Sequence, residues 1–343
     1  MKCDKLSNPK ASLRFSVMRV LSIEIKNFFA IRETKVVFGP YLTCLVGSKF
    51  GDPRHFLNAC GFLAAVACRM VPEWLKQKNK SMKSFCFGSP ETGVEASEFS
   101  ADLWLDDFST ARWSCKVDLV NEKIEDEQIL WSSNGDFSTG KCYTNDHPQF
   151  LSVLHQVQKC LWPFLNQSEN YFDFENEGSR LAEVVNEMTD FERTELVEKL
   201  RPVMPNIEKV GTRLASDGRL EFFYIVDGKT ISEKFVGSGD AKLINMAMKY
   251  LSGAPIVIFP AAEGSQSVGR LSALGKWLYE APKQTIISVY DYFILNEFPE
   301  DSIYVELVGK DGMQSLVPMK EMPEFKGSSN IERPGDVLLL AGV

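Results

Sequence analysis

The sequence predicts an α/β fold organised around a strand, a glycine turn and a helix, and three observations carry that prediction. An apolar strand over residues 42–46 ends at Gly47, and a long apolar helix begins near His55 after a short loop. The last third alternates short, mostly apolar runs (255–259, 285–290, 303–308) with helical ones (241–251, 271–279), as a parallel sheet buried on both faces requires. Between these parts, from about 85 to 143, apolar residues recur with a period of two, which predicts an antiparallel β meander inserted as a lobe.

In chain order, residues 1–17 carry Lys2, Lys5, Lys10 and Arg14 among Ser and Pro, with no apolar core of a signal peptide, so a flexible tail is expected. Alternation over 19–27 and again over 31–38 predicts two half-buried strands, and Gly39-Pro40 separates them from the central strand. Residues 55–80 read as one helix, apolar at first and polar after Pro72. Within the meander, the runs 99–106, 112–120 and 124–131 are separated by the turn signals Asp106-Asp107 and Asn121-Glu122. Helices are expected over 150–164 and 179–203, the second stopped by Pro202 and Pro205, and neither is long enough for an extended coiled coil. Strands over 207–215 and 219–226 flank Asp217-Gly218, the signal of a two-residue hairpin. The division that results is a tail (1–17), the N-terminal half of a nucleotide fold (18–84), a β lobe (85–149), a helical segment with a hairpin (150–235) and the C-terminal half (236–343).

Composition narrows the function. The chain has 343 residues, 44% of them hydrophobic, which is ample for a core. A formal charge of −8 speaks against a broadly basic surface for nucleic acid. Eight scattered cysteines without a CxxC pair suit reduced thiols and a cytoplasmic setting, and three histidines leave few ligands for a metal. The longest apolar run, 56–71, carries Asn58 and Arg69 and is too short to cross a bilayer. Trp104, Trp113 and Trp131 sit in strand-like runs and are expected in the core rather than as stacking platforms for bases. The acidic run 122–127 reads as a solvated turn and strand edge.

A phosphate-binding loop starting at Gly47 would read G-x-x-x-x-G-K-[ST], its backbone N–H groups wrapping a triphosphate. Here Gly51 is followed by Asp52, Pro53 and Arg54. An anion stands where the second glycine belongs, a residue without an N–H where the lysine belongs, and an arginine where the magnesium-binding hydroxyl belongs. Lys49 and Arg54 are candidate substitutes for the lysine; both also read as solvated loop charges, because Asp52 repels phosphate and Pro53 removes a donor.

Together these segments resemble the small ATP-binding-cassette (ABC) type ATPases related to RecF, to the heads of structural-maintenance-of-chromosomes (SMC) proteins and to the overcoming-lysogenization-defect nucleases. The stretch 19–38 is similar to that family's first hairpin, and Leu45-Val-Gly47 with Leu57-Asn-Ala59 brackets its phosphate loop. Glu177-Gly-Ser-Arg-Leu181 looks like the start of its middle helix, and Val236-Gly-Ser-Gly-Asp-Ala-Lys-Leu243 stands at its signature. Its Walker B strand matches 256–259 and its switch-histidine segment 287–295. The resemblance implies an ABC-ATPase-like P-loop head with an inserted β lobe and no long coiled coil. It also implies degenerate motifs. Where the family carries two carboxylates after the Walker B strand, this chain has Pro260, Ala261 and Ala262. Glu263 is either a displaced carboxylate or the acidic residue found later in that motif. The signature serine is replaced by Gly237; Ser238, Gly239 and Asp240 are a residual signature or a helix N-cap, and Tyr290 occupies the switch position.

The expected function is that of a catalytically dead pseudo-ATPase acting as an interaction or scaffold subunit, in DNA processing or anti-phage defence. Neither ATP nor magnesium is expected as a cofactor, and no catalytic or metal-binding residue is assigned. The expected partner is another protein or a second copy engaged through the head face; DNA contact lacks support from the net charge, and no membrane is expected. Two alternatives stay open: an ATPase subunit active only as half of a composite site, with Gly239 serving a partner's nucleotide, and a nucleic-acid-binding module without hydrolysis.

Overall fold

The computed structural model describes residues 18–47, 52–86, 96–106, 109–133, 136–141, 148–165, 180–264, 266–309, 312–323, 325 and 333–341. The tail expected over 1–17 lies outside them. Strands β1 (Arg19–Phe28), β2 (Ile31–Val37) and β3 (Leu42–Val46) lead into helices α1 (Arg54–Ala67) and α2 (Val71–Lys78). The meander follows as β4 (Ser97–Trp104), β5 (Thr110–Asp118), β6 (Lys123–Ser133) and β7 (Asp136–Lys141), then α3 (Pro148–Leu165), α4 (Arg180–Glu187) and α5 (Asp190–Leu200). A small sheet of β8 (Ile207–Leu214), β9 (Leu220–Val226) and β10 (Lys229–Ser232) precedes α6 (Ser238–Leu251). The remaining elements are β11 (Ile256–Phe259), α7 (Val268–Tyr279), β12 (Gln284–Val289), β13 (Ile303–Val308), β14 (Gln314–Pro318) and α8 (Pro334–Ala341).

Eleven strands form one sheet in the order β11-β12-β3-β13-β14-β2-β1-β4-β5-β6-β7. The first four run parallel, and every residue of β3, β11 and β12 is buried. Leu42, Cys44 and Val46 of β3 join a core with α4 to α8, while Leu45 joins the opposite core with α1 and α3. A strand covered on both faces has no reason to alternate with polar residues, which is why these segments read as largely apolar runs without a period of two; Thr43, Gln284, Thr285 and Ser288 are buried with the rest. The meander is hydrogen-bonded to β1 through β4, so it continues the main sheet. Gln284 staples this arrangement: its side-chain oxygen accepts from Val20 N at 2.9 Å, and its amide donates to the carbonyls of Val20 at 2.8 Å and Gly39 at 3.0 Å.

Several sequence expectations need correction. The helix expected over 55–80 is two helices, parted at Arg69, whose φ of 63° is left-handed, with Pro72 in the first turn of α2 where its missing N–H costs nothing. The helix expected over 179–203 is broken by a capping box: Thr189 Oγ1 accepts from Glu192 N at 3.3 Å, and the Glu192 carboxylate accepts from Thr189 N at 2.8 Å. The connection around Asp217-Gly218 has three residues, with Ala215 N bonded to Arg219 O and Gly218 at φ 79°. The two-residue turn is the next one, Asp227-Gly228 (φ 49° and 70°), and it delivers β10, a strand the sequence reading did not place. The acidic run 122–127 is an exposed turn and strand edge, as expected, except at its last residue: β5 pairs with it on one side, and among the described residues β7 reaches only Gln128–Ser133 of β6. Glu127 is buried, accepting from Trp113 Nε1 at 2.9 Å and Arg69 Nη1 at 2.5 Å. Trp113 and Trp131 are in the core, and Trp104 is half-buried. Among the described residues, no helix is long and apolar enough to cross a membrane.

Candidate functional site

Parallel pairing of β3 with β12 puts Val46 opposite Val289, so Gly47 and Tyr290 leave the sheet side by side. Gly47 N donates to Val289 O at 3.0 Å, and Tyr292 Oη donates to Gly47 O at 3.3 Å. The Tyr290 ring then lies against Gly47. A Cβ at that glycine would come within 2.8 Å of two ring carbons and 3.0 Å of Pro53 Cδ. From there the Tyr290 hydroxyl donates to Asp52 Oδ1 at 2.5 Å. Arg54 closes on the same carboxylate, with Nε 2.9 Å from both oxygens and Nη2 2.7 Å from Oδ2, and its guanidinium lies 6.0 Å from the Tyr290 ring centre.

These residues form a latch across the place where the phosphate loop begins and ends. Burial pushes the Asp52 carboxyl up, but hydrogen bonds from Arg54 and Tyr290 outweigh it and hold the group down at about 2. Burial and the Asp52 carboxylate both push the Tyr290 phenol upward. Arg54 is exposed, in keeping with a solvated charge, and it starts α1 with its guanidinium paired to Asp52. Lys49 and Gly51 lie outside the described residues.

On the neighbouring strand, the backbone beyond β11 turns back over β12. Ala261 N and Ala262 N donate to Ser288 Oγ and Ser288 O, each at 2.9 Å. Ala261 adopts φ 48°, a left-handed conformation that costs a non-glycine residue roughly 1 kcal/mol, and Lys242 Nζ donates to its carbonyl. Pro260 is half-buried where this turn begins. Glu263 accepts from Tyr290 N at 2.6 Å through one oxygen, and its other oxygen is buried without a partner. Burial raises the proton affinity of this carboxyl, opposed by backbone donors and the Lys242 charge.

The residual signature sits at the start of α6. Gly237 is the N-cap and no side chain caps the helix, so the N-cap role considered for Ser238 and Asp240 is not found. Ser238 is exposed, Gly239 is buried with its carbonyl accepting from Gln266 Nε2 at 2.8 Å, and Asp240 accepts from Tyr224 Oη at 2.7 Å and Arg270 Nη1 at 2.5 Å. The structure therefore gathers Gly47, Asp52, Pro53, Arg54 and Tyr290 at one point and ties Glu263 to the back of Tyr290. Sequence reasoning missed Glu306 on β13, which is 3% exposed with one oxygen unpartnered. Burial, and then the Asp52 charge, push its carboxyl up to about 8. A lone carboxylate inside the apolar run Ile303–Val308 was the available signal. Lys242 was missed too; its signal was a lysine at a position that α6 half-buries.

No protein-family model matches the chain, and no curated protein is similar to it in sequence. In fold it is similar to solved SMC heads. One such head, bound to the C-winged helix domain of ScpA, gives a TM-score of 0.60 at 13% identity over 87% of this chain and 97% of that one. The SMC head domain from Thermotoga maritima gives 0.53 at 10% identity, covering 88% and 98%. A head with a coiled coil and joint derived from Pyrococcus yayanosii gives 0.56 at 9%, covering 95% and 100%. The chain thus has the ABC-ATPase-like head fold that the resemblance implied.

Proposed function

We propose that this chain is a non-hydrolysing head, a scaffold module that engages another polypeptide while its own nucleotide site stays latched. The observation that carries this reading is the Tyr290–Asp52–Arg54 cluster against Gly47, which commits to one another the side chains flanking the phosphate loop. Phosphoryl transfer depends on positioned charge, and losing one well-placed group typically costs about 10²–10³ in rate. Here the lysine, hydroxyl and carboxylate positions are Pro53, Arg54, Pro260, Ala261 and Ala262. The losses are not additive, but each removes part of one machine. Support for a protein partner comes from two of the similar heads, which were solved bound to a domain of ScpA. The scattered cysteines suit a cytoplasmic setting, and the family resemblance suggests DNA processing or anti-phage defence.

A thermal-shift titration with ATP and magnesium tests the reading. No change in melting temperature at millimolar nucleotide is expected. A saturable stabilisation, about 2.7 kcal/mol at a hundred times Kd, would overturn it.

A further inference from the structure

Beside the latch a groove of about 420 Å³ opens between Tyr290, the short turn Tyr292–Glu297 and α8. Tyr290, Tyr292, Phe293 and Leu339 supply aromatic and apolar walls; Phe293 is 51% and Leu339 60% exposed. The charged groups lining it are Glu263, Asp291 and Asp336, and among the described residues no basic side chain lines it. The walls are fixed. Gly335 packs so closely on Tyr292 that a Cβ there would collide with the Tyr292 carbonyl, and Gly335 N donates to Asn296 Oδ1 at 2.9 Å.

The three carboxylates differ in how they are satisfied. Asp336 pairs with Arg333 at 3.0 Å, and Asp291 accepts from Phe293 N at 2.9 Å. Glu263 keeps one oxygen buried and unbonded, since Lys242, the cation acting on it, donates to the Ala261 carbonyl instead. A groove lined by three carboxylates beside aromatic walls suits a particular visitor, a cation that can also stack.

We propose that this groove is the docking site for an arginine, flanked by apolar residues, on a partner polypeptide. A guanidinium carries a permanent charge, stacks on aromatic faces and is weakly hydrated, so it meets the negative charge of the lining carboxylates and the tyrosine and phenylalanine walls at once. An acidic side chain is excluded by three carboxylates of like sign. The inference rests on the scaffold reading for the existence of a protein partner and adds the chemistry of its anchor.

The probe is a fluorescein-labelled heptapeptide, Ser-Leu-Phe-Arg-Phe-Leu-Ser, compared by fluorescence anisotropy at physiological salt with analogues carrying citrulline or Glu in place of Arg. Saturable binding of the arginine peptide is expected, with the citrulline peptide weaker by about tenfold or more, as for a lost hydrogen bond to a charged group, and no binding of the Glu peptide. Glu263→Gln, which keeps the acceptor for Tyr290 N, should lose a similar factor. Leu339→Ala, at an exposed position that keeps the fold, should weaken binding as well. Glu122→Gln, with the same change in net charge elsewhere, should bind like the wild type. The proposal is overturned if arginine and citrulline peptides bind alike, if Glu263→Gln and Leu339→Ala leave affinity unchanged, or if no saturable binding occurs up to about 1 mM, an affinity equivalent to only about 4 kcal/mol. A nucleotide-dependent thermal shift of the wild type would refute the latched-scaffold reading and leave the peptide result standing, so the two failures are separable.

Discussion

Tyr290→Phe deletes one hydrogen bond and leaves the ring over Gly47. The lost contact is the 2.5 Å bond from Oη to Asp52 Oδ1. A hydrogen bond to a charged group is worth roughly 1.5–3 kcal/mol when shielded. Tyr290 is 39% exposed and Asp52 keeps Arg54, so solvent screening reduces the expectation to about 1 kcal/mol. A double-mutant cycle with Asp52→Asn, followed by urea unfolding with circular dichroism and tryptophan fluorescence, isolates the pair. The Asp52 carboxyl lies at about 2 in the folded state against an ordinary 3.8, so the stability it contributes is present above about pH 4 and is lost as pH falls towards 2. Coupling should therefore be full at pH 7 and already reduced at pH 3. A coupling energy within about 0.3 kcal/mol of zero at pH 7 would refute the latch.

Three other outcomes are expected. Gly335→Ala should lift α8 from the turn it packs on, at a cost of about 1–3 kcal/mol, and hydrogen exchange should show lost protection confined to α8 and Tyr292–Glu297. Glu306 has its folded carboxyl at about 8 against an ordinary 4.5, so the folded state holds a proton that the unfolded chain has released, and stability should fall as pH rises from about 4.5 to 8. Glu306→Gln should flatten that fall, read as urea midpoints at pH 5 and pH 8. Arg69→Met should leave Glu127, 2% exposed, with only Trp113 Nε1 as donor, lowering stability by about 3–5 kcal/mol in the same unfolding assay.

The fold was legible where burial dictates composition. The runs that became β3, β11, β12 and β13 are mostly apolar because both faces are covered, and their order with the intervening helices made the parallel half of the sheet readable. Helix breaks were harder to read. Thr189 and Glu192 show the spacing of a capping box, but the surrounding helical pattern masked it, and α1 is closed at Arg69, a left-handed non-glycine residue, by Arg69 N to Val66 O and Met70 N to Ala65 O, with no glycine to signal the stop. For the site, Asp52, Pro53, Arg54 and Tyr290 were legible as departures from a motif. What they do to one another was not: Tyr290 and Asp52 are 238 positions apart, and only the pairing of β3 with β12 brings them together. The small sheet's third strand was hidden because Lys229–Ser232 is four residues long, too short for periodicity to register.

The Gln284 staple has a consequence in time. Gln284 follows Val20 by 264 residues, so a ribosome adding about 5–20 residues per second takes roughly 13–50 s to deliver it after β1 has emerged. During that interval β1, β2 and the meander can pair by local hairpins, whereas β3 has neither of its eventual neighbours, β12 and β13, because both are encoded later. A five-residue strand, four of its residues apolar and all meant to be covered on both faces, waits uncovered while the middle of the chain is made. The part of the molecule that defines its candidate site is thus the last to become protected, and holding that strand out of misassembly falls to whatever accompanies the chain as it is synthesised.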